Sequence, residues 1–506
     1  MTPSVKAAQG PRRHTVVLSD VHLSQAHPHD ESDPLWMRYR QRDCHPDVDF
    51  ASLVDEMLRR AAGDALEVVW NGDVFDFDAP WVKDGVSSFE EYPLDDRGCA
   101  EQVERIIDDH PIWFEAAGRV VAAGHRLLIL SGNHDIELYW PGVRAAIRRA
   151  IGRHAPDLST DELEARVRFR AWFHLTEDGI YLEHGSQYDM FNGVRHAMLP
   201  VTRKRDWIHP QTGKLAFKRT GSRMGYFNPY HEGTFYMGLF GYLGHYLRFY
   251  AFSSRRHIWR VWFWGSFDTA LDIWRHRHDE DWSDEARALA HEETGVSLDA
   301  IDATHALTVP SAERWMLPIL RELWLDRAIW LFILLTTSIV GAVLGGLLAG
   351  AITLGLTAAV FITYELVTPK PDIRTYDSGA ASRVERLFEI HNARAVCMGH
   401  THRPSGVWRD VAGTPRFTGN SGSWCPAYHD QSCTKPVYVR RPLLYLVSEE
   451  SGPNESSLRG GLHFWDGKTL TQEARAPDRE PAHTVHGHAQ DQHSQDQHRA
   501  EPTASG

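Results

Sequence analysis

The chain has 506 residues, a formal net charge of −13 and five cysteines. That length exceeds one ordinary domain and is enough to bury a sizeable core. The acidic balance argues against a dedicated nucleic-acid binder. The few scattered thiols (Cys44, Cys99, Cys397, Cys425, Cys433) argue against a disulfide framework and for a reducing compartment.

Residues 1–13 read as a polar tail without the apolar stretch of a secretory signal, so the body of the chain is expected in the cytoplasm. A first core segment is expected over residues 14–203. In it, short runs of β-branched, aliphatic or aromatic side chains at 15–18, 66–70, 127–130 and 179–182 read as buried strands. Each ends, within a residue or so, on a polar block: Asp20-Val21-His22, Gly72-Asp73-Val74-Phe75-Asp76, Gly132-Asn133-His134-Asp135 and His184-Gly185. Helix-like stretches at 50–62 and 99–123 lie between them, so strand, loop and helix alternate as in an α/β domain. The polar segment 27–49, with Arg38, Arg40 and Arg42, is placed to cap a site and grip a phosphate.

An aromatic-rich helical insertion is expected over 204–327. Its stretch 225–274 interleaves Tyr226, Tyr230, Phe235, Tyr236, Tyr246, Trp259, Trp262 and Trp264 with Arg248, Arg255, Arg256 and Arg260. Rings beside basic residues suit the headgroup layer of a membrane. The acidic stretch 279–304 reads as a solvated helical surface.

An apolar hairpin is expected over 328–367, because residues 328–364 contain neither a charge nor a proline. One helix of that length would run about 55 Å, whereas a bilayer core is about 30 Å thick. Two passes of roughly 17–19 residues fit better, transmembrane or re-entrant. Gly341, Gly345, Gly346 and Gly350 supply a turn and let two helices pack closely. Arg327 on one flank, with Lys370 and Arg374 on the other, suits two cytoplasmic ends. Parity agrees: His184 precedes the run, and His400 and His402 follow it, so a shared site requires an even number of crossings.

The core resumes over 368–470. A helix-like stretch at 380–391 and a strand-like run at 395–398 lead into Gly399-His400-Thr401-His402. Residues 471–506 are polar and histidine-rich, and read as a disordered tail.

Carboxylate oxygens and imidazole nitrogens at strand ends suit two divalent ions; manganese comes first, and iron or zinc also fit. Two such ions can clamp a phosphate and activate one bridging hydroxide. They need a bridging carboxylate, for which Asp73 is the candidate. The blocks together resemble the calcineurin-like metallophosphoesterases, whose pattern is D-x-H, G-D-x-x-D, G-N-H-D/E, H and G-H-x-H. The resemblance covers about residues 14–190 and 380–446. It implies a layered β-sandwich flanked by helices. It also implies one metal on Asp20, His22, Asp73 and His402, and a second on Asp73, Asn133, His184 and His400. His134 would protonate the leaving oxygen or stabilise the transition state, with Asp76 orienting its ring. Gly419-Asn420-Ser421-Gly422-Ser423-Trp424 looks like the family's closing N-T-G-S-W segment, with serine at 421 in place of threonine. Arg403, directly after the last ligand, is placed to reach a phosphoryl oxygen.

A weaker similarity links the chain to the UDP-2,3-diacylglucosamine pyrophosphohydrolases, which share D-x-H-L and G-H-T-H-R-P. Those enzymes typically carry arginine where His134 stands and lack the large insertion. The expected function is hydrolysis of a phosphoester or pyrophosphate bond at the cytoplasmic membrane face, on a phosphorylated lipid or lipid precursor. The alternatives are a membrane-tethered nucleotide or nucleic-acid phosphodiesterase and, outside enzymes, a membrane scaffold with a structural metal site.

Overall fold

The computed structural model describes residues 12–89, 94–202, 204–231, 239–276, 283–368, 381–452 and 455–473. The expected tails up to residue 11 and from 474, the rings of Phe235 and Tyr236, the acidic residues 279–282, and Lys370 and Arg374 lie outside them.

The chain is mixed α/β and builds two mixed sheets. The strands in chain order are β1 (Arg12–Leu18), β2 (Ala65–Asn71), β3 (Trp81–Lys83), β4 (Val86–Ser88), β5 (Arg126–Leu130), β6 (Val167–Arg170) and β7 (Phe173–Leu175). They continue with β8 (Ile180–Glu183), β9 (Ala395–Met398), β10 (Ser405–Val411), β11 (Thr414–Asn420), β12 (Arg441–Gly452), β13 (Glu455–Trp465) and β14 (Leu470–Gln472). One sheet runs β14-β13-β12-β1-β2-β5-β6, the other β10-β11-β9-β8-β7, and β3 and β4 form a small separate ribbon. Neighbours are parallel from β1 through β2 and β5 to β6, and from β8 through β9 to β11.

The strand side chains alternate between two buried layers, as a period of two requires. Val17, Val69, Leu128 and Leu130 face inward and meet Leu182, Cys397, Phe417 and Leu444 between the sheets. Their neighbours Val16, Leu18, Val68, Trp70, Leu127 and Ile129 face outward. There they meet the apolar stripe Phe50, Leu53, Val54 and Met57 of helix Asp47–Arg60, together with helices Asp96–Asp109, Pro111–Ala122 and Pro141–Gly152. The outer face of the second sheet (Tyr181, Val396, Met398) packs on helix Ala381–His391 through Val384, Leu387 and Phe388. Burial on both faces is why these strands read as nearly continuous apolar runs.

Two expectations change. The helix-like stretch 99–123 is two helices, broken at His110, because Pro111 lacks the N–H that an uninterrupted helix needs and instead opens the second one. The acidic stretch ending at 304 is more than a solvated surface. Its helices Asp284–Thr294 and Leu298–His305 turn Ala286, Ala290 and Ile301 into the layer covering the second sheet.

His391 closes that layer. Its Nε2 lies 2.7 Å from Thr304 Oγ1, and its ring packs on Phe173 and Tyr181. Burial pushes its pKa down to about 4 from 6.5. The unfolded chain therefore binds a proton there that the folded chain refuses. Stability should fall as pH drops from about 6.5 towards 4, by up to about 3 kcal/mol from this group. Denaturant unfolding across that window should show a slope that His391→Gln flattens.

Leu325–Val367 is, among the described residues, the one helix long and apolar enough to cross a membrane. Its path reverses at Gly346, whose φ of 78° and ψ of 176° interrupt the helix. A side chain there would be strained. The two arms, 325–345 and 347–367, are each about 30 Å long, the thickness of a bilayer core. They pack closely where Gly341 faces Thr353 and Gly350 faces Ala342. Their open ends are tied by Arg327, 3.1 Å from both Glu365 and Asp326, and by Tyr364 donating to Asp326. Among the described residues none covers the tip, where Leu347 is 89% exposed.

Candidate metal centre

All the polar blocks lie just past the carboxyl ends of strands: Asp20 and His22 after β1, Asp73 after β2, Asn133 and His134 after β5, His184 after β8, His400 and His402 after β9. These ends, from both sheets, meet at one edge of the sandwich, where ligands of open α/β sheets bind. The chain turns sharply there. Asp20, His22, Asp73, His400 and His402 all adopt left-handed backbone, with φ between 52° and 68°. That region is uncommon for residues other than glycine and holds where surrounding structure enforces it. The enforcing bonds include Asp20 N to Gly72 O at 3.1 Å, His22 N to Asp73 O at 3.0 Å and Trp424 N to Asp20 O at 3.1 Å. Gly72 is required for a second reason, because a Cβ on it would run into the His184 ring.

The side chains converge in two groups. In one, Asp20 Oδ1 lies 3.2 Å from His402 Nε2, and His22 Nε2 lies 3.3 Å from the same nitrogen. In the other, Asn133 Oδ1 lies 3.0 Å from His400 Nδ1 and 3.2 Å from His184 Nε2, and Asp73 Oδ2 lies 3.2 Å from His184 Nε2. All but His402 are buried. The His22 N–H donates to the Asp73 carbonyl at 3.0 Å, so Asp73 adjoins both groups. Burial opposes its ionisation, but His184 and His134 outweigh burial and hold its pKa well below the usual carboxylate range.

The donor set fits a pair of divalent cations. Asp20 Oδ1 is buried and faces the His402 ring nitrogen at 3.2 Å, an arrangement in which carboxylate oxygen and imidazole nitrogen can share one cation. Imidazole nitrogens and carboxylate oxygens aim at common points, and such ligands suit manganese, iron or zinc. The outer contacts also resemble those of metal sites. His184 Nδ1 lies 3.0 Å from Asn71 O, and His400 Nε2 lies 3.1 Å from Asp189 Oδ2, which fixes both ring orientations. Asp189, five residues past His184, belongs to none of the polar blocks read from the sequence.

His134 adjoins both groups, its ring meeting that of His22 edge-on at 4.8 Å. Its backbone N–H donates to Asp73 Oδ1 at 2.7 Å. The carboxylate nearest its ring is Asp78, not Asp76: Nδ1 lies 2.9 Å from Asp78 Oδ2 and 3.6 Å from Asp76 Oδ1. Asp76 also accepts from the Tyr230 hydroxyl and the Asp78 N–H. Burial works against a charged His134 ring, but Asp73, Asp76 and Asp78 outweigh it and hold its pKa well above the ordinary value.

The insertion supplies parts of this site that no motif announced. Lys214, 1% exposed, lies 2.9 Å from Asp78 Oδ1 and 3.1 Å from Glu137 Oε2, and donates to His134 O at 3.0 Å. Phe217 packs edge-on against the His134 ring, and Tyr230 lies against His22. By contrast, the arginines of segment 27–49 are occupied. Arg38 pairs with Asp43, Arg42 with Asp109, and buried Arg40 donates to the Gln25 and Pro80 carbonyls. Arg403 is exposed and does not line the cavity that opens from the centre.

That cavity holds about 530 Å³. It starts at His22, Asp73, Asn133, His134, His400 and His402. It continues between mostly apolar walls from the insertion (Phe217, Tyr246, Trp259, Trp262) and ends at Trp324, Arg327 and Glu365, the root of the apolar hairpin.

No family model matches the chain, and no curated protein matches it.

Proposed function

We propose that the chain is a dinuclear-metal phosphoesterase that hydrolyses a phosphoester or pyrophosphate bond of a phosphorylated lipid or lipid precursor. Convergence of Asp20, His22, Asp73, Asn133, His184, His400 and His402 in two adjacent groups carries the reading. The two-sheet arrangement with helices on both outer faces supports kinship with the calcineurin-like metallophosphoesterases. Two bound divalent ions would supply Lewis acidity and a nucleophilic water at neutral pH. The chain's own residues do the rest. Asp73 holds the two groups together, Asp189 and Asn71 fix the imidazole ligands, and His134 presents a charged ring where the leaving oxygen would develop charge.

The substrate class rests on the cavity. A mostly apolar passage from phosphoryl chemistry to the root of an exposed apolar hairpin suits an amphiphile drawn from a bilayer. Exposed Trp259, Trp264, Phe267 and Trp274 on helix Ile258–His276 suit the adjoining headgroup layer. The Arg327–Glu365 pair joins the two ends of the hairpin, so both ends share one side of the membrane. We assign that side to the cytoplasm.

The test compares 4-nitrophenyl hexadecyl phosphate in mixed micelles with 4-nitrophenyl ethyl phosphate, on protein stripped by a chelator and reloaded with Mn²⁺. Stripping should abolish hydrolysis and Mn²⁺ restore it. The long-chain ester should lead by roughly ten-fold or more in kcat/KM, as filling an apolar pocket requires. Faster turnover of free nucleotides without lipid dependence would remove the lipid assignment. Tight metal binding with no ester cleaved would favour the scaffold.

A further inference from the structure

The cavity wall is mostly aromatic and aliphatic between its two charged ends, interrupted by polar side chains that include His245, Ser266 and Glu322. Glu322, the last residue of helix Met316–Glu322, opens onto it. Among the described residues no hydrogen bond or ion pair engages this carboxylate. Its acidic neighbours are all matched: Asp326 and Glu365 hold Arg327, and Asp189 holds His400. Tyr242 and Trp324, whose rings meet edge-on at 5.1 Å, line the cavity with it. Burial, with the charge of Asp189, pushes its pKa up to about 7, and Arg327 only partly offsets this. The side chain is half-buried and opens onto the cavity, so its carboxylate is completed by cavity solvent or by a ligand group that displaces that solvent. Its position fits that role. It lines the same cavity as His400 of the candidate metal centre and Arg327 of the hairpin root.

We propose that Glu322 is a specificity-determining residue that accepts a hydrogen bond from a donor group (hydroxyl, amide N–H or ammonium) that the substrate carries between its phosphoryl group and its apolar tail. This rests on the lipid phosphoesterase reading above. A substrate so read has three parts in a fixed order: a phosphoryl head at the metals, a donor at Glu322, and a chain running to the hairpin root. An alkyl phosphate lacking the donor leaves the carboxylate unmatched, and a site built around such a group discriminates against it.

The experiment uses the full chain loaded with Mn²⁺ in detergent micelles. The probes are hexadecyl phosphate, 1-O-hexadecylglycerol 3-phosphate (a hydroxyl donor), 2-aminohexadecyl phosphate (an ammonium donor) and inorganic phosphate. Affinity is read from tryptophan fluorescence, since Trp259, Trp262 and Trp324 line the cavity, and metal content is measured alongside. At least one donor-bearing probe should bind roughly ten-fold or more tightly than hexadecyl phosphate. Glu322→Leu should erase that preference and tighten hexadecyl phosphate, a gain that an unfolded variant cannot produce. Glu322→Gln should keep a hydroxyl preference and lose an ammonium preference, which separates the two donor classes. A preference that survives unchanged in Glu322→Leu, or no preference in the wild type, overturns the proposal alone. If no alkyl phosphate outbinds inorganic phosphate, the lipid reading falls and this one with it.

Discussion

Asp73→Asn is expected to cost the protein its metal pair and with it nearly all hydrolysis. Asparagine keeps the shape, and its carbonyl oxygen can still accept from the His134 N–H, which reaches Asp73 Oδ1 at 2.7 Å. Its other terminus is an amide donor. It would point at His184 Nε2, where Asp73 Oδ2 now lies at 3.2 Å, and would carry no charge to share between two cations. Outer residues that only orient metal ligands typically cost 10- to 100-fold in affinity when lost. A residue joining both groups should cost more than about 100-fold, and turnover at fixed Mn²⁺ should fall on the order of 10³-fold or more. Metal content by elemental analysis and kcat on an aryl phosphodiester check this together. Two ions retained per chain in Asp73→Asn would show that the cations, if bound, do not share this carboxylate.

The parts of the site that a motif can carry are those that follow a strand directly. Asp20, Asp73, Asn133, His184 and His400 each sit within three residues of a strand end, so chain connectivity alone brings them to one edge once the sheets form. Gly72 betrays its place for the same reason, because backbone packed against a ring tolerates no Cβ. The hairpin was equally open to reading, since a charge-free run with central glycines has few other solutions. Lys214, Phe217 and Tyr230 were closed to it. They lie in the insertion and reach the centre only through tertiary packing, with no spacing relative to any ligand. Asp78 is a closer case: it stands two residues past Asp76 in a run of alternating aspartates, and only the turn of the chain decides which carboxylate faces the His134 ring. The helices between 284 and 305 show the opposite failure, where surface acidity hid the small apolar stripe of Ala286, Ala290 and Ile301 that covers a sheet.

Lys214→Met should destabilise the fold by about 3–5 kcal/mol, the range for removing one partner of a buried ion network. The ammonium is nearly inaccessible and stands between Asp78 and Glu137. Burial alone would drive its proton off, but those two carboxylates outweigh burial and hold its pKa above the ordinary value. Without it, Glu137, whose own pKa burial already raises, loses its ion-pair partner while still facing the like charge of Asp78. Methionine matches the length of the lysine stem, so packing loss is small and the effect isolates charge. Adding Glu137→Gln to Lys214→Met should recover part of the loss, because it removes one stranded charge, and the two changes should be far from additive. Urea unfolding of the single and double variants measures both terms. The same substitution frees the His134 carbonyl and the Asp78 carboxylate beside the His134 ring, so hydrolysis should fall in Lys214→Met even where the protein remains folded and metal-loaded. A loss under about 1 kcal/mol, the scale of an exposed pair, would mean that the insertion helix Thr212–Arg219 is not locked onto the centre through this lysine.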